Sequence, residues 1–202
     1  MSDETLKTGK RAYRKRLRAE HEEETRRRIT EAAVDLHGSV GPARTTISAI
    51  ADRAGVQRAT VYRHFPDEPS LFAACSAHWA AANPPPDPTA WAKVADPDAR
   101  LHAALDALYR WYESSECMLE NVSRDAPVVP AMARPVAARK AMLDYMTSVL
   151  MARRRARGAR RRRVEAAIGH ALEFSTWQSL VRHQGLTRPD AVALAAAMVT
   201  GA

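Results

Sequence analysis

The sequence predicts an all-α protein, and three observations carry that reading. Apolar residues recur three and four positions apart in one stretch after another. Glycines and prolines close those stretches where helices would end. No alternating pattern long enough for a strand occurs, and there is neither a glycine-rich phosphate loop nor an internal repeat. With 202 residues the chain can bury the core of one large or two small domains.

Residues 1–20 are polar, with Lys7, Lys10, Arg11, Arg14, Lys15, Arg16 and Arg18 crowded together. Nothing there can build a core, so the segment reads as a basic flexible arm or a frayed helical extension. The first firm helix runs from about Glu22 to His37, with Ile29, Ala33 and Leu36 on its buried stripe and Gly38 ending it. Glu22, Glu23 and Glu24 suit its positive end. Each has an arginine four residues on, at Arg26, Arg27 and Arg28, which argues for a salt-bridged outer face.

Residues 46–71 describe two short helices joined by a tight turn. Thr46 can cap the first, and Ile50, Ala51 and Ala54 form its inner face. Gly55 supplies the positive φ of the turn, Val56 plugs it, and Gln57 opens the second helix. There Val61 and Phe65 face inward while Arg58, Tyr62 and Arg63 face outward. This is a helix-turn-helix whose outward helix spans 57–64. Arg58 is the best candidate for direct base reading, because a guanidinium can bond two acceptors of guanine at once. Gln57 is the second, suited to adenine or a phosphate.

The run IADRAGVQRATVYRHFPDEPSLF, residues 50–72, resembles the signature of the TetR family of transcriptional regulators. Ile50, Ala51, Ala54, Gly55, Val56, Thr60, Tyr62, His64, Phe65 and Leu71 match it at fixed spacing. The family usually has a lysine and then an acidic residue at the start of the next helix, where this chain has Glu68 and Pro69. Glu68 would repel a phosphate, so that contact is not expected. The resemblance implies a three-helix DNA-binding domain over residues 21–66, followed by a helical ligand-binding and dimerisation domain over 67–202. It implies that Thr60, Tyr62 and His64 hold phosphates, with packing inside the motif as the other reading of Tyr62 and His64. Thr46, Ser48 and Arg63 complete the candidate DNA contacts.

A fourth helix runs from about Pro69 to Ala82, and Asn83-Pro84-Pro85-Pro86 closes it. Asp96-Pro97 reads as an N-cap with proline in the first turn, opening a helix with Leu101, Leu105, Leu108 and Tyr112 on one stripe. Pro127 and Pro130 interrupt the chain before a helix from about Pro135 to Ala152. A long helix from about Arg162 to His183 is apolar over a wide arc, and Gly185 ends it. Thr187 with Asp190 resembles a capping box for an alanine-rich last helix, 192–199. These two helices read as an assembly surface or as two ordinary core helices. The resemblance implies the former, a four-helix bundle across the two-fold axis of a homodimer, which also suits a palindrome with half-sites one turn apart.

Formal charge is +8, which favours a polyanionic partner. The run Arg153–Arg163, RRRARGARRRR, contains eight arginines and no acid, and reads as a solvated loop or as a nonspecific anionic contact. Cys75 and Cys117 lack metal-ligand spacing and sit in apolar helical stretches, so they read as buried reduced thiols, with redox sensing as the alternative. No apolar run reaches membrane-spanning length, and the amino terminus is charged throughout, so a cytoplasmic protein is expected.

The resemblance further implies a ligand pocket whose occupant, an unknown small-molecule effector, shifts the fourth helix and releases double-stranded DNA. Trp79, Leu105, Tyr109, Tyr112, Met118, Met142, Tyr145, Met146, Phe174 and Trp177 are its candidate lining, with core packing as the plain reading of each. His78, His102 and Asp106 are candidate polar handles. No catalytic cluster stands out, and no metal or cofactor is expected; His102 and Asp106 at i,i+4 are only a weak metal hint. The chain is thus expected to be a ligand-responsive repressor on a palindromic operator. The alternative is an architectural, sequence-indifferent DNA binder acting through its arginine-rich segments.

Overall fold

Helix α1, Asp3–Ser39, is 37 residues long. The computed structural model describes the backbone of residues 3–202, and the side chains of residue 11 and of residues 13–202. No strand occurs among the described residues. Of the two readings of the basic segment, a flexible arm or a helical extension, the described backbone has the second, continuing the first helix. Its residues 13–24 are all exposed, and helix-favouring Arg, Lys, Ala and Glu carry the helix beyond any core contact. The end of α1 also differs. Gly38 lies inside its last turn, and the left-handed residue is Gly41, with φ of 94°, before a 3-10 turn at Pro42–Arg44.

Helices α2, Ile47–Ala54, and α3, Arg58–His64, follow. Thr46 Oγ1 accepts from the Ala49 N–H at 3.1 Å, and Gly55 turns the chain with φ of 63°. Helix α4, Glu68–Ala82, is capped by Asp67, whose Oδ1 accepts from the Ser70 N–H at 2.7 Å. The first core gathers Ile29 and Ala33 of α1, Ile50 and Ala51 of α2, Val61 and Phe65, and Leu71 and Cys75 of α4. The first half of α4 thus belongs to the amino-terminal core.

The second core is built from α5, Pro88–Ala92, α6, Pro97–Asp125, and α7, Ala133–Met151. It is completed by α8, Gly158–Leu172, α9, Phe174–Trp177, and α10, Arg188–Thr200. Asp96 accepts from the Ala99 N–H at 2.7 Å, and Thr187 caps α10, as their sequence positions suggest. Leu101, Leu105, Leu108, Met146, Leu150, Ile168, Leu172 and Trp177 fill this core. Two 3-10 turns, Ala126–Val128 and Pro130–Met132, carry the proline breaks.

The long helix expected over 162–183 is broken. Glu173 is extended, at φ −70° and ψ 141°, and beyond α9 the chain winds as a π-helix over Gln178–His183. The break frees the last three carbonyls of α8 from regular helical pairing, and each meets a hydroxyl, His170 O also taking the Glu173 N–H at 3.1 Å. Thr176 Oγ1 donates to His170 O at 2.6 Å, Tyr109 to Ala171 O at 3.0 Å and Tyr112 to Leu172 O at 2.6 Å.

Arg100 is 1% exposed and pairs with no acid among the described residues. Its guanidinium donates to Val94 O (3.0 Å), Ala95 O (3.2 Å), Val149 O (3.0 Å) and Ala152 O (2.8 Å), tying the loop after α5 to the end of α7. The arginine run is a loop only to Arg157, since α8 begins at Gly158 and takes up Arg160 to Arg163. Arg154 leaves solvent, donating to Asp98 at 2.9 Å. Cys75 is buried, and its thiol is pushed up to about 12 by that burial. Cys117, expected to be buried, is exposed, because its position on α6 falls outside the stripe facing the core.

The two cores meet where the end of α6 clasps the end of α1. Asn121 Nδ2 donates to His37 O (3.2 Å) and Gly38 O (2.8 Å), and Asp125 Oδ2 accepts from the Ala43 N–H (2.9 Å). At the other end of α6 sits Asp98, the partner of Arg154. The 29 residues of α6 therefore hold the arginine run roughly 40 Å from this seam.

Candidate nucleic-acid interface and adjoining cavity

Helix α3 is amphipathic in the manner its spacing requires. Val61 is 0% and Phe65 2% exposed, whereas Tyr62 is 49% exposed. Gln57, Arg58 and Arg63 are exposed as well. Thr60, Ser48 and His64 are half-buried, and Thr46 is exposed at the start of α2. The eight candidate residues thus lie on α2 and α3 and the residues just before them. Arg58 and Gln57 stand at the amino-terminal end of α3, the end that leads into a groove when a helix enters it. Thr46 has a second task already, since its hydroxyl caps α2.

What holds α3 was not legible in the sequence. Arg26 Nη1 donates to His64 O at 2.7 Å, and its guanidinium lies 4.2 Å from the centre of the Phe65 ring. Arg28 Nη2 donates to Ala54 O at the end of α2. Two of the three arginines assigned to a salt-bridged face therefore neutralise stranded carbonyls at the negative ends of the two helices. The middle one, Arg27, does form salt bridges, but with Glu24 (2.7 Å) and Glu31 (2.6 Å) instead of Glu23, the acid four residues before it. The His64 ring is pushed below the usual histidine range by desolvation, and then by Arg63 and Arg26; its Nε2 is buried without a hydrogen-bond partner. A neutral His64 adds no charge to the exposed face.

A cavity of about 400 Å³ lies between α1, α4, α6 and α7. Val34 and His37 come from α1, Phe72, Cys75 and Trp79 from α4, Trp111, Met118 and Leu119 from α6, and Arg139 and Met142 from α7. His37 stacks on Phe72 with ring centres 4.8 Å apart, and burial pushes it down to about 4. The cavity touches helices of both cores. An open groove of about 520 Å³ adjoins it and shares Val122, Pro135 and Arg139.

Of the ten residues expected to line a pocket, Trp79, Met118 and Met142 reach the cavity, and Phe174 reaches the adjoining groove. Leu105, Met146 and Trp177 are fully buried in the second core and line neither the cavity nor the groove. Tyr109 and Tyr112 are spent on the broken end of α8, and their burial raises both phenols. Tyr145 is 51% exposed and faces solvent. His78 and His102 do not line the cavity, and Asp106 pairs with Arg110 (2.7 Å) and Arg188 (3.0 Å). Phe72, Trp111, Met132 and Arg139 line it unforeseen. Phe72 and Trp111 could have been found as aromatics beside the motif and beside the apolar stripe of α6.

No helix of the described residues is long and apolar enough to cross a membrane. Residues 29–75 match the sequence model of the bacterial regulatory proteins, tetR family. No curated protein matches the chain. Among solved structures, a TetR-like transcriptional regulator from Rhodococcus sp. RHA1 is similar over 87% of this chain and 93% of its own, at 17% identity and a TM-score of 0.62. A fatty acid degradation regulator, FadR, from Bacillus halodurans is similar over 88% and 95%, at 13% identity and a TM-score of 0.59. A TetR transcription regulator from Haloarcula marismortui is similar over 89% and 96%, at 18% identity and a TM-score of 0.56. At these identities the likeness is one of fold. Residues 29–75 thus match the tetR-family model, and the chain around them has the all-α fold of TetR-like transcriptional regulators.

Proposed function

We propose that this protein is a sequence-specific, DNA-binding transcriptional repressor that acts as a homodimer on a palindromic operator in the cytoplasm and is released by a small molecule. The observation that carries the reading is the outer face of α3. It presents Gln57, Arg58, Tyr62 and Arg63 to solvent, while Val61 and Phe65 anchor it and Arg26 holds its end. The face combines a base-reading guanidinium with hydroxyl and cationic groups for phosphates.

A homodimer is supported by α10, where Leu194 and Met198, four residues apart, are 43% and 40% exposed beside the small Ala193 and Ala197. Such a face suits close packing against a copy of itself. Release by a small molecule is supported by α4, which serves two masters: Leu71 and Cys75 sit in the amino-terminal core, and Phe72 and Trp79 wall the cavity. A molecule that displaces Trp79 moves the helix against which α1 is set, and α1 in turn holds the end of α3 through Arg26. By reciprocity, it then binds the DNA-bound form more weakly. The arginine run, at the far end of α6 from the clasp, takes no part in reading the operator. No catalytic role is proposed.

Selection of bound duplexes from a random pool by purified protein, at near-physiological salt, tests the reading. A recovered palindrome is expected. Strong binding with no recovered motif would sink it in favour of an architectural binder acting through arginines, whose affinity would fall steeply with salt and differ little between duplexes.

A further inference from the structure

The partly buried arginines of the second core are matched with one exception. Arg100 has four carbonyls, Arg154 has Asp98, and Arg188 has Asp106 and Glu113 at 3.0 and 2.7 Å. Arg139 of α7 has no carboxylate partner among the described residues. Its guanidinium lies 6.0 Å from the Tyr112 ring centre and 5.9 Å from that of Phe174. It stands where the apolar cavity opens into the adjoining groove, and it lines both. A cation beside apolar walls with no carboxylate in contact has donors left to pair, and an entering anion can take them.

The rest of the lining narrows the anion. Arg139 is the one charged side chain on the cavity wall, which otherwise offers Phe72, Trp79, Trp111, Met118 and Met142. His37, on the same wall, is a stacked ring facing Phe72. In the groove beyond, Lys140 is taken by Asp144 at 2.9 Å, and Glu173 adds a negative charge that disfavours a dianion. We infer that the cavity takes an apolar molecule bearing a single carboxylate, its body among the aromatics and methionines and its carboxylate on the Arg139 guanidinium. A planar guanidinium fork and a carboxylate match edge to edge. The inference deepens the effector reading above and rests on it only for the consequence at DNA, not for binding.

Calorimetric titration of the full chain with octanoate and 2-naphthoate, and with octanol and 2-naphthol as neutral counterparts, tests it. At least one carboxylate is expected to bind about tenfold or more tightly than its alcohol. Arg139→Gln should abolish that preference while alcohol binding persists, and Arg139→Lys should restore part of it. Equal binding of acid and alcohol, a preference that survives Arg139→Gln, or no binding by any of the four would overturn the inference. Should Arg139→Gln fail to fold, the wild-type comparison and Arg139→Lys still decide. The same carboxylates are then titrated into the complex with a selected duplex. Carboxylate binding that leaves DNA affinity untouched upholds the site and defeats the effector reading. Release by another small molecule, with no carboxylate bound, does the reverse.

Discussion

Replacing Arg26 by methionine should loosen the reading helix without touching its DNA-facing side. The side chain makes two contacts that methionine cannot: a 2.7 Å bond to His64 O and the approach of the guanidinium to the Phe65 ring at 4.2 Å. A net hydrogen bond from a charged donor is worth about 1.5–3 kcal/mol, and a partly exposed cation–π contact about 0.5–1 kcal/mol. Methionine keeps much of the apolar stem, so packing loss is small. The expected cost is about 2–3 kcal/mol, mostly from the bond. Native-state hydrogen exchange reads it locally, at the amides of Val61 and Phe65, which bond to Gln57 O and Val61 O at 3.3 and 2.8 Å. Their exchange should accelerate roughly 30–150-fold, while operator affinity falls only to the extent that the open population becomes appreciable. Arg26→Lys should fall between. Acceleration of about threefold or less would show that the bond does not hold α3, and the reasoning would fail.

Three further outcomes follow from buried groups. His37, pushed down to about 4 by burial, stays neutral in the folded chain while the unfolded chain takes up a proton below about 6.5. Stability should therefore fall as pH drops from about 6.5 to about 4, by about 3 kcal/mol at full effect. Urea midpoints across that range should show it, with His37→Asn flattening the dependence. Arg100→Met strands four carbonyls and should cost about 3 kcal/mol or more, roughly 6–12 °C of melting temperature, while DNA affinity measured well below the transition stays the same. A melting point within a degree or so of wild type would refute the role given to Arg100. Tyr112→Phe leaves Leu172 O without its donor and should lower stability by about 1–3 kcal/mol, with no cavity created. Chemical denaturation that cannot separate it from wild type would mean the break in α8 is satisfied otherwise.

The elements that local chemistry determines were legible in the sequence. Thr46, Asp96 and Thr187 cap helices from the positions their neighbours suggest, and Gly55 takes the left-handed turn between α2 and α3. The inward pair Val61 and Phe65, and with it the exposed face of α3, follows from spacing alone. What could not be read depends on partners far along the chain. The apolar arc of 162–183 looks continuous because the hydroxyls that make a break tolerable belong to Tyr109 and Tyr112, some sixty residues earlier. Arg26 and Arg28 looked like members of i,i+4 pairs, since the carbonyls they reach lie 38 and 26 residues away. The lining of the cavity was legible only in part for a related reason. Tyrosines and a tryptophan that seemed to suit a ligand are core pieces with internal tasks, whereas Arg139 had nothing around it in sequence to mark it.

The central claim, that α3 reads base sequence, is tested most directly through Arg58. Binding of wild type and Arg58→Ala would be measured against the selected palindrome, against each single base-pair variant of one half-site, and against a random duplex. Wild type should lose about 1–3 kcal/mol at one particular base pair that Arg58→Ala no longer distinguishes, with affinity for random DNA little changed. A substitution that weakens every duplex alike, leaving the base preferences intact, would contradict the account.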